Sequence, residues 1–320
     1  MTSAAIKTLC DQIVDYAGLF PPAKLDMSPA VEAYAREKVG LHRWMLGRFV
    51  CPASRLAELS RAGAALMPGT FATSGYREYA DSVEPWRITV LADSVTAQDP
   101  VGGLERDIAA IIDFNTRHAT EDQGLAQADC IELKPPTPDF VDEAAELIPE
   151  DLYPFFELPG GIDPRGFVAA LAGAAAGAKI RTGGTTPEAF PSAEVVAEFI
   201  RACVAAEVPF KATAGLHHPL RGSFPLTYEK GSACAEMFGF LNVFVTAALA
   251  KAHRLDTPTL VQCLTERDPS SIAATDDGLR WRKLVLSVSQ LSAAREGLAL
   301  SFGSCSFDEP VRELTALGLL

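Results

Sequence analysis

Two lysines raise the first chemical question. Lys179 and Lys211 lie in short apolar runs, Ala178–Thr182 and Phe210–Ala214, and are 32 residues apart, about one strand–helix unit. A lysine in an apolar strand covered by helices must point inward or lie among hydrocarbon, and the second option buries an ammonium at high cost. Facing inward from adjacent strands about 4.8 Å apart, the two charges repel and push one amine towards its neutral form. A neutral amine attacks carbonyls, so the expectation is an imine on one of the two lysines, its pKa depressed by the other. The plainer alternative is that Glu132 and Glu157 hold each lysine in a buried ion pair.

Other strand ends carry more candidates. Glu132-Leu-Lys134, Arg181-Thr182-Gly183-Gly184, Gly215-Leu-His217-His218 and Ser304-Cys305-Ser306 all follow apolar runs. Glycine turns and hydroxyls there present N–H and O–H groups suited to an anion. Arg181, two positions from Lys179, shares its side and is placed to meet a carboxylate or phosphate, as is Arg221. Neighbouring side chains in extended chain diverge, so His217 and His218 are expected to face opposite ways, one of them towards the site as an acid, a base or an anion ligand. A divalent metal would need Glu132, Glu157 and one of these histidines to converge. His42, His118 and His253 are expected at the surface.

Eight apolar runs separated by helical patterns position these residues: Ile13–Phe20, Arg48–Pro52, Arg87–Leu91, Cys130–Leu133, Pro154–Leu158, Ala178–Thr182, Phe210–Ala214 and Leu298–Phe302. That alternation predicts an α/β fold, a single (β/α)₈ TIM barrel over residues 1–320. Ser28 with Pro29 predicts a helix start before Ala30–Lys38, and Ser192 predicts another. Residues 215–297 exceed one helix and its loops, so a helical enlargement is expected before the last strand, with helices around Ala235–His253 and Leu279–Glu296. Its apolar stretch Met237–Ala250 is too short to span a bilayer and offers a surface for a homo-oligomer.

Composition narrows the partners. With 28 Lys+Arg against 41 Asp+Glu, the chain carries a formal charge of −13, which disfavours nucleic acid and membrane surfaces. Seven scattered cysteines without C-x-x-C, and no leader-like N-terminus, point to free thiols in the cytoplasm. No G-x-G-x-x-G occurs, and Gly173–Lys179 lacks P-loop spacing. Neither cofactor nor metal is expected.

These segments together resemble the deoxyribose-phosphate aldolase family. Lys179-Ile-Arg-Thr-Gly183 is similar to its Lys-Thr-Ser-Thr-Gly segment, and Lys211-Ala-Thr-Ala-Gly215 to its second lysine segment. Ala128-Asp-Cys-Ile-Glu132 resembles Ala-Asp-x-Val-Asp, and Phe156-Glu157-Leu-Pro-Gly160 resembles Ile-Glu-Thr-Gly. Leu300-Ser-Phe-Gly-Ser304-Cys-Ser306 resembles Arg-Phe-Gly-Ala-Ser-Ser, Val14-Asp15-Tyr16 parallels Ile-Asp-His, and Phe49-Val-Cys-Pro52 parallels Val-Cys-Val-x-Pro. The resemblance implies a class I aldolase acting on a small carbonyl substrate, phosphorylated or carboxylated. Lys179 would form the imine, Lys211 would tune it and Glu132 would move protons. Thr182, Gly183, Gly184, Gly215, Ser304 and Ser306 would hold an anionic group, and Asp15, Lys134 and Glu157 would support the site. The sequence departs from the family at Glu132, at Leu216-His217-His218-Pro219 and in the long 215–297 segment, which implies a different substrate. Two other readings are a metal-dependent barrel lyase or isomerase, and an inactive barrel that serves as a binding subunit.

Overall fold

The computed structural model describes residues 2–69, 84–120, 123–137 and 139–320. Eight parallel strands close on themselves: β1 (Val14–Tyr16), β2 (Leu46–Pro52), β3 (Trp86–Leu91), β4 (Ala126–Leu133), β5 (Tyr153–Glu157), β6 (Gly177–Arg181), β7 (Phe210–Thr213) and β8 (Ala299–Ser304), which pairs back onto β1. With the eleven α-helices among the described residues, this is a (β/α)₈ TIM barrel.

Period-two alternation assigns the two faces of each strand. Ile88, Ile131, Phe156 and Ile180 are buried against the helices, while polar side chains occupy the positions between. Lys211 on β7 touches residues of β1, β3 and β4, which only the barrel interior permits. Parallel pairing sets Lys179 opposite Lys211 and Glu157 opposite Lys179.

The helix predicted from Ser28 begins a little earlier, at Met27, behind Asp26 (Met27–Lys38). Ser192 caps Ala193–Ala206, accepting from the Val195 N–H.

The enlargement is not all helical. After β7 come an antiparallel hairpin (Gly222–Pro225 with Cys234–Met237), two helices (Phe240–His253 and Thr257–Leu264), a three-stranded antiparallel sheet (Ile272–Ala274, Gly278–Trp281, Leu284–Ser287) and a capped helix (Val288–Gly297). The helix expected over Leu279–Glu296 is half strand. Leu279 and Trp281 are buried on either side of exposed Arg280, and Arg282, at φ +51°, turns the chain.

Phe240–His253 is buried on every side from Phe240 to Ala250, stacking Phe240 on Phe302 at 5.0 Å between ring centroids. Its apolar stretch fills this molecule's own core and is not an exposed face for a second copy. Among the described residues no helix is long and apolar enough to cross a membrane.

Candidate active site

Burial of charge at the strand ends forces a network. Lys211 Nζ lies 2.6 Å from Asp15 Oδ2, 2.6 Å from Glu132 Oε1 and 3.3 Å from Thr89 Oγ1. Lys179 Nζ lies 2.7 Å from Glu132 Oε2 and 3.0 Å from Glu157 Oε2. Glu132 thus gives one oxygen to each lysine. Asp15 also accepts from Ser301 Oγ and from the Arg48 backbone N–H, and Arg181 Nε sits 3.4 Å from Glu157. Both lysines are almost wholly buried, at 3% and 2% exposed.

Three carboxylates surround two ammoniums, and this overturns one expectation. Burial alone would lower the Lys179 pKa, but Glu132 and Glu157 outweigh it and hold the amine above its ordinary value. Lys211 is raised likewise, by Asp15 and Glu132 against burial. Burial would raise Glu132, yet the two lysines pull it down to about 2. Repulsion between the lysines is screened by the carboxylate between them, so Lys211 does not depress Lys179. Each lysine is ion-paired.

Above this network lies a cavity of about 480 Å³, into which Lys179 and Glu132 open. Arg181, Gly183, Gly184, Gly215, His217 and His218 also line it. Arg181 sits at the mouth with half its side chain exposed. Gly215 has φ +73°, and a Cβ there would meet Phe190 at 2.9 Å and Gly183 at 3.1 Å, so glycine is what lets the β6 and β7 loops touch. Thr182 is fully buried and donates to the Ala214 and Thr213 carbonyls, which stitches those strands together. Lys211 is absent from this lining and instead borders a cavity of about 210 Å³ with Arg48, Tyr153 and Ser301, at the strands' opposite ends. Lys134 is exposed and outside the cavity.

The serines of the last loop are already engaged. Ser304 Oγ donates to the Ser306 carbonyl and lies 3.3 Å from His217 Nδ1, while Ser306 Oγ accepts from the Glu309 N–H. Neither serine is among the residues that line the cavity.

The histidines do not diverge as their adjacency predicts: both line the cavity, their ring centroids 6.4 Å apart, and both pair with carboxylates of the helix Asp308–Ala316. His217 Nδ1 lies 3.5 Å from Glu309 and 3.9 Å from Cys305 Sγ. His218 Nδ1 lies 2.8 Å from Glu313, and its ring stacks on Phe224. The carboxylates of Glu132 and Glu157 face lysines, and no group of three or more His, Cys, Asp or Glu among the described residues is arranged to hold a metal ion. His118 is buried, not at the surface, held between the Gly124 carbonyl and Ser60 Oγ at 2.8 Å each. Arg221 lies over the Phe238 ring, outside the cavity lining.

Sequence reasoning overlooked Thr89, Tyr228, Ser301 and Glu309. Thr89 and Ser301 sit at inward positions that alternation does mark. Tyr228 and Glu309 lie outside the barrel strands, and nothing local signals them.

Fold and site together define a TIM barrel with a titratable, half-enclosed cavity at the carboxyl ends of its strands, where barrel chemistry resides. Comparison with family models, with curated proteins and with solved structures finds no match.

Proposed function

We propose that the protein is a cytoplasmic carbon–carbon lyase of the Schiff-base type, acting on a small carbonyl compound, as its motif resemblance to deoxyribose-phosphate aldolases implies. The observation that carries the reading is Lys179. It is a buried amine that opens into the cavity with two proton acceptors, Glu132 and Glu157, within 3.0 Å. For attack, one ammonium proton passes to a carboxylate. Nζ then adds to the carbonyl carbon, and water leaves as the imine forms. Because the resting lysine is held protonated, imine formation accelerates as the pH rises. Free thiols at all seven cysteines agree with a reducing compartment.

Full ion-pairing of both lysines favours a second reading. In it Lys179 stays an ammonium and stabilises an oxyanion without covalent bonding. Borohydride trapping with acetaldehyde, acetone and glyceraldehyde separates the two. The first expects a mass adduct on Lys179 that disappears in Lys179→Ala. An adduct that survives this substitution, or no adduct with any of the three, removes it.

A further inference from the structure

The cavity that holds Lys179 contains a second set of titratable side chains, joined to the lysine network by no hydrogen bond or ion pair among the described residues. His217 is held through one ring nitrogen. Nδ1 faces Ser304 Oγ at 3.3 Å, Glu309 Oε2 at 3.5 Å and Cys305 Sγ at 3.9 Å. Ser304 Oγ gives its proton to the Ser306 carbonyl, so it accepts from Nδ1. Tyr228 donates to Glu309 at 3.1 Å, which fixes the carboxylate. The other nitrogen, Nε2, has no partner among the described residues, and the ring lines the cavity. One residue on, His218 with Glu313 already clamps the same loop to the same helix, Asp308–Ala316. A second carboxylate–histidine pair is therefore not needed as a fastener.

Resting on the Lys179 reading, in which a Schiff-base lyase cleaves a β-hydroxycarbonyl compound, the geometry points to His217 Nε2 as the catalytic acid and base of the reaction, with Glu309 its positioning residue. Once the imine on Lys179 has formed, the β-hydroxyl proton passes to Nε2 and the Cα–Cβ bond breaks. Its electron pair moves into the enamine, and an aldehyde leaves. Nε2 returns the proton to Cα, and water hydrolyses the new imine. Hydrogen bonds to Cys305 and Glu309 outweigh burial and raise His217 to about 9. At neutral pH it is therefore mostly imidazolium, ready to protonate the aldehyde oxygen when the bond forms in reverse. For cleavage Nε2 first releases its proton to water, and the neutral imidazole then takes the β-hydroxyl proton. Glu132, drawn down by two lysines, is a poor base for that proton.

The test uses the full chain with 3-hydroxybutanal, which cleaves to two acetaldehydes, and borohydride trapping of acetaldehyde on Lys179. His217→Asn should lower cleavage at least about 100-fold while the Lys179 adduct stays within twofold, the adduct also reporting an intact fold. Glu309→Gln should lower kcat about tenfold with KM little changed, and a change in KM alone would remove its positioning role. If His217→Asn cleaves like the unsubstituted protein while the adduct forms, the His217 assignment is wrong and the Lys179 reading stands. If the unsubstituted protein gives no adduct, both fall.

Discussion

Glu132 is the residue on which the network turns, because its two oxygens serve two different ammoniums. Losing one partner of a buried pair costs about 3–5 kcal/mol, since the charge left behind is not rehydrated. Glu132→Gln is expected to lower the urea-unfolding free energy by about that much. A loss under about 1 kcal/mol would mean that Asp15 and Glu157 suffice on their own. Glu157 acts more selectively, on Lys179 and Arg181. Because carboxylates hold Lys179 above its ordinary pKa, Glu157→Gln should let it release its proton at lower pH. The rising limb of a plot of Lys179 trapping against pH should therefore move to the acid side. An unmoved limb would leave Glu132 alone in control of the amine.

At the scale of elements, the barrel was legible because each of its strands pairs an apolar outward face with a few conspicuous polar residues. Lys179, Lys211, Glu132 and Glu157 stood out against Ala, Ile and Phe neighbours, and the inward direction followed from the cost of the alternative. What each lysine meets was not legible. Barrel closure brings Asp15 of β1 against Lys211 of β7, nearly 200 residues later, and no local pattern encodes that. His217 and Glu309 are hidden for the same reason. The 215–297 excursion misled because its strands are only three or four residues long, too short for alternation to outweigh helical spacing. One buried amide pins parts of the excursion to one another. Buried Asn242 donates to the Cys263 and Glu266 carbonyls at 2.8 and 3.0 Å and accepts from the Arg221 N–H at 2.8 Å. Asn242→Leu strands those three backbone groups, each costing about 1–3 kcal/mol when left unmet. A destabilisation of at least about 2 kcal/mol in chemical denaturation is expected, and a neutral result would show that water replaces the amide.

For the whole molecule, a charge of −13 coexists with a centre in which acids and bases nearly balance. Glu132, Glu157 and Glu309 all titrate below their ordinary value, so each stabilises the fold fully above about pH 4.5. That contribution is lost as the pH falls through the folded pKa, about 2 for Glu132. Unfolding free energy should thus decline steeply below pH 4.5, and a flat profile between pH 4.5 and 2.5 would contradict the network. The hairpin Gly222–Pro225 with Cys234–Met237 stands apart from this balance. It belongs to no barrel layer, yet its turn carries Tyr228 and Thr227 into the cavity wall. The charged floor comes from the strands, and part of the rim comes from this one loop. Descendants of this chain could lengthen, shorten or redecorate that loop and so admit other molecules, while the chemistry beneath is inherited unchanged.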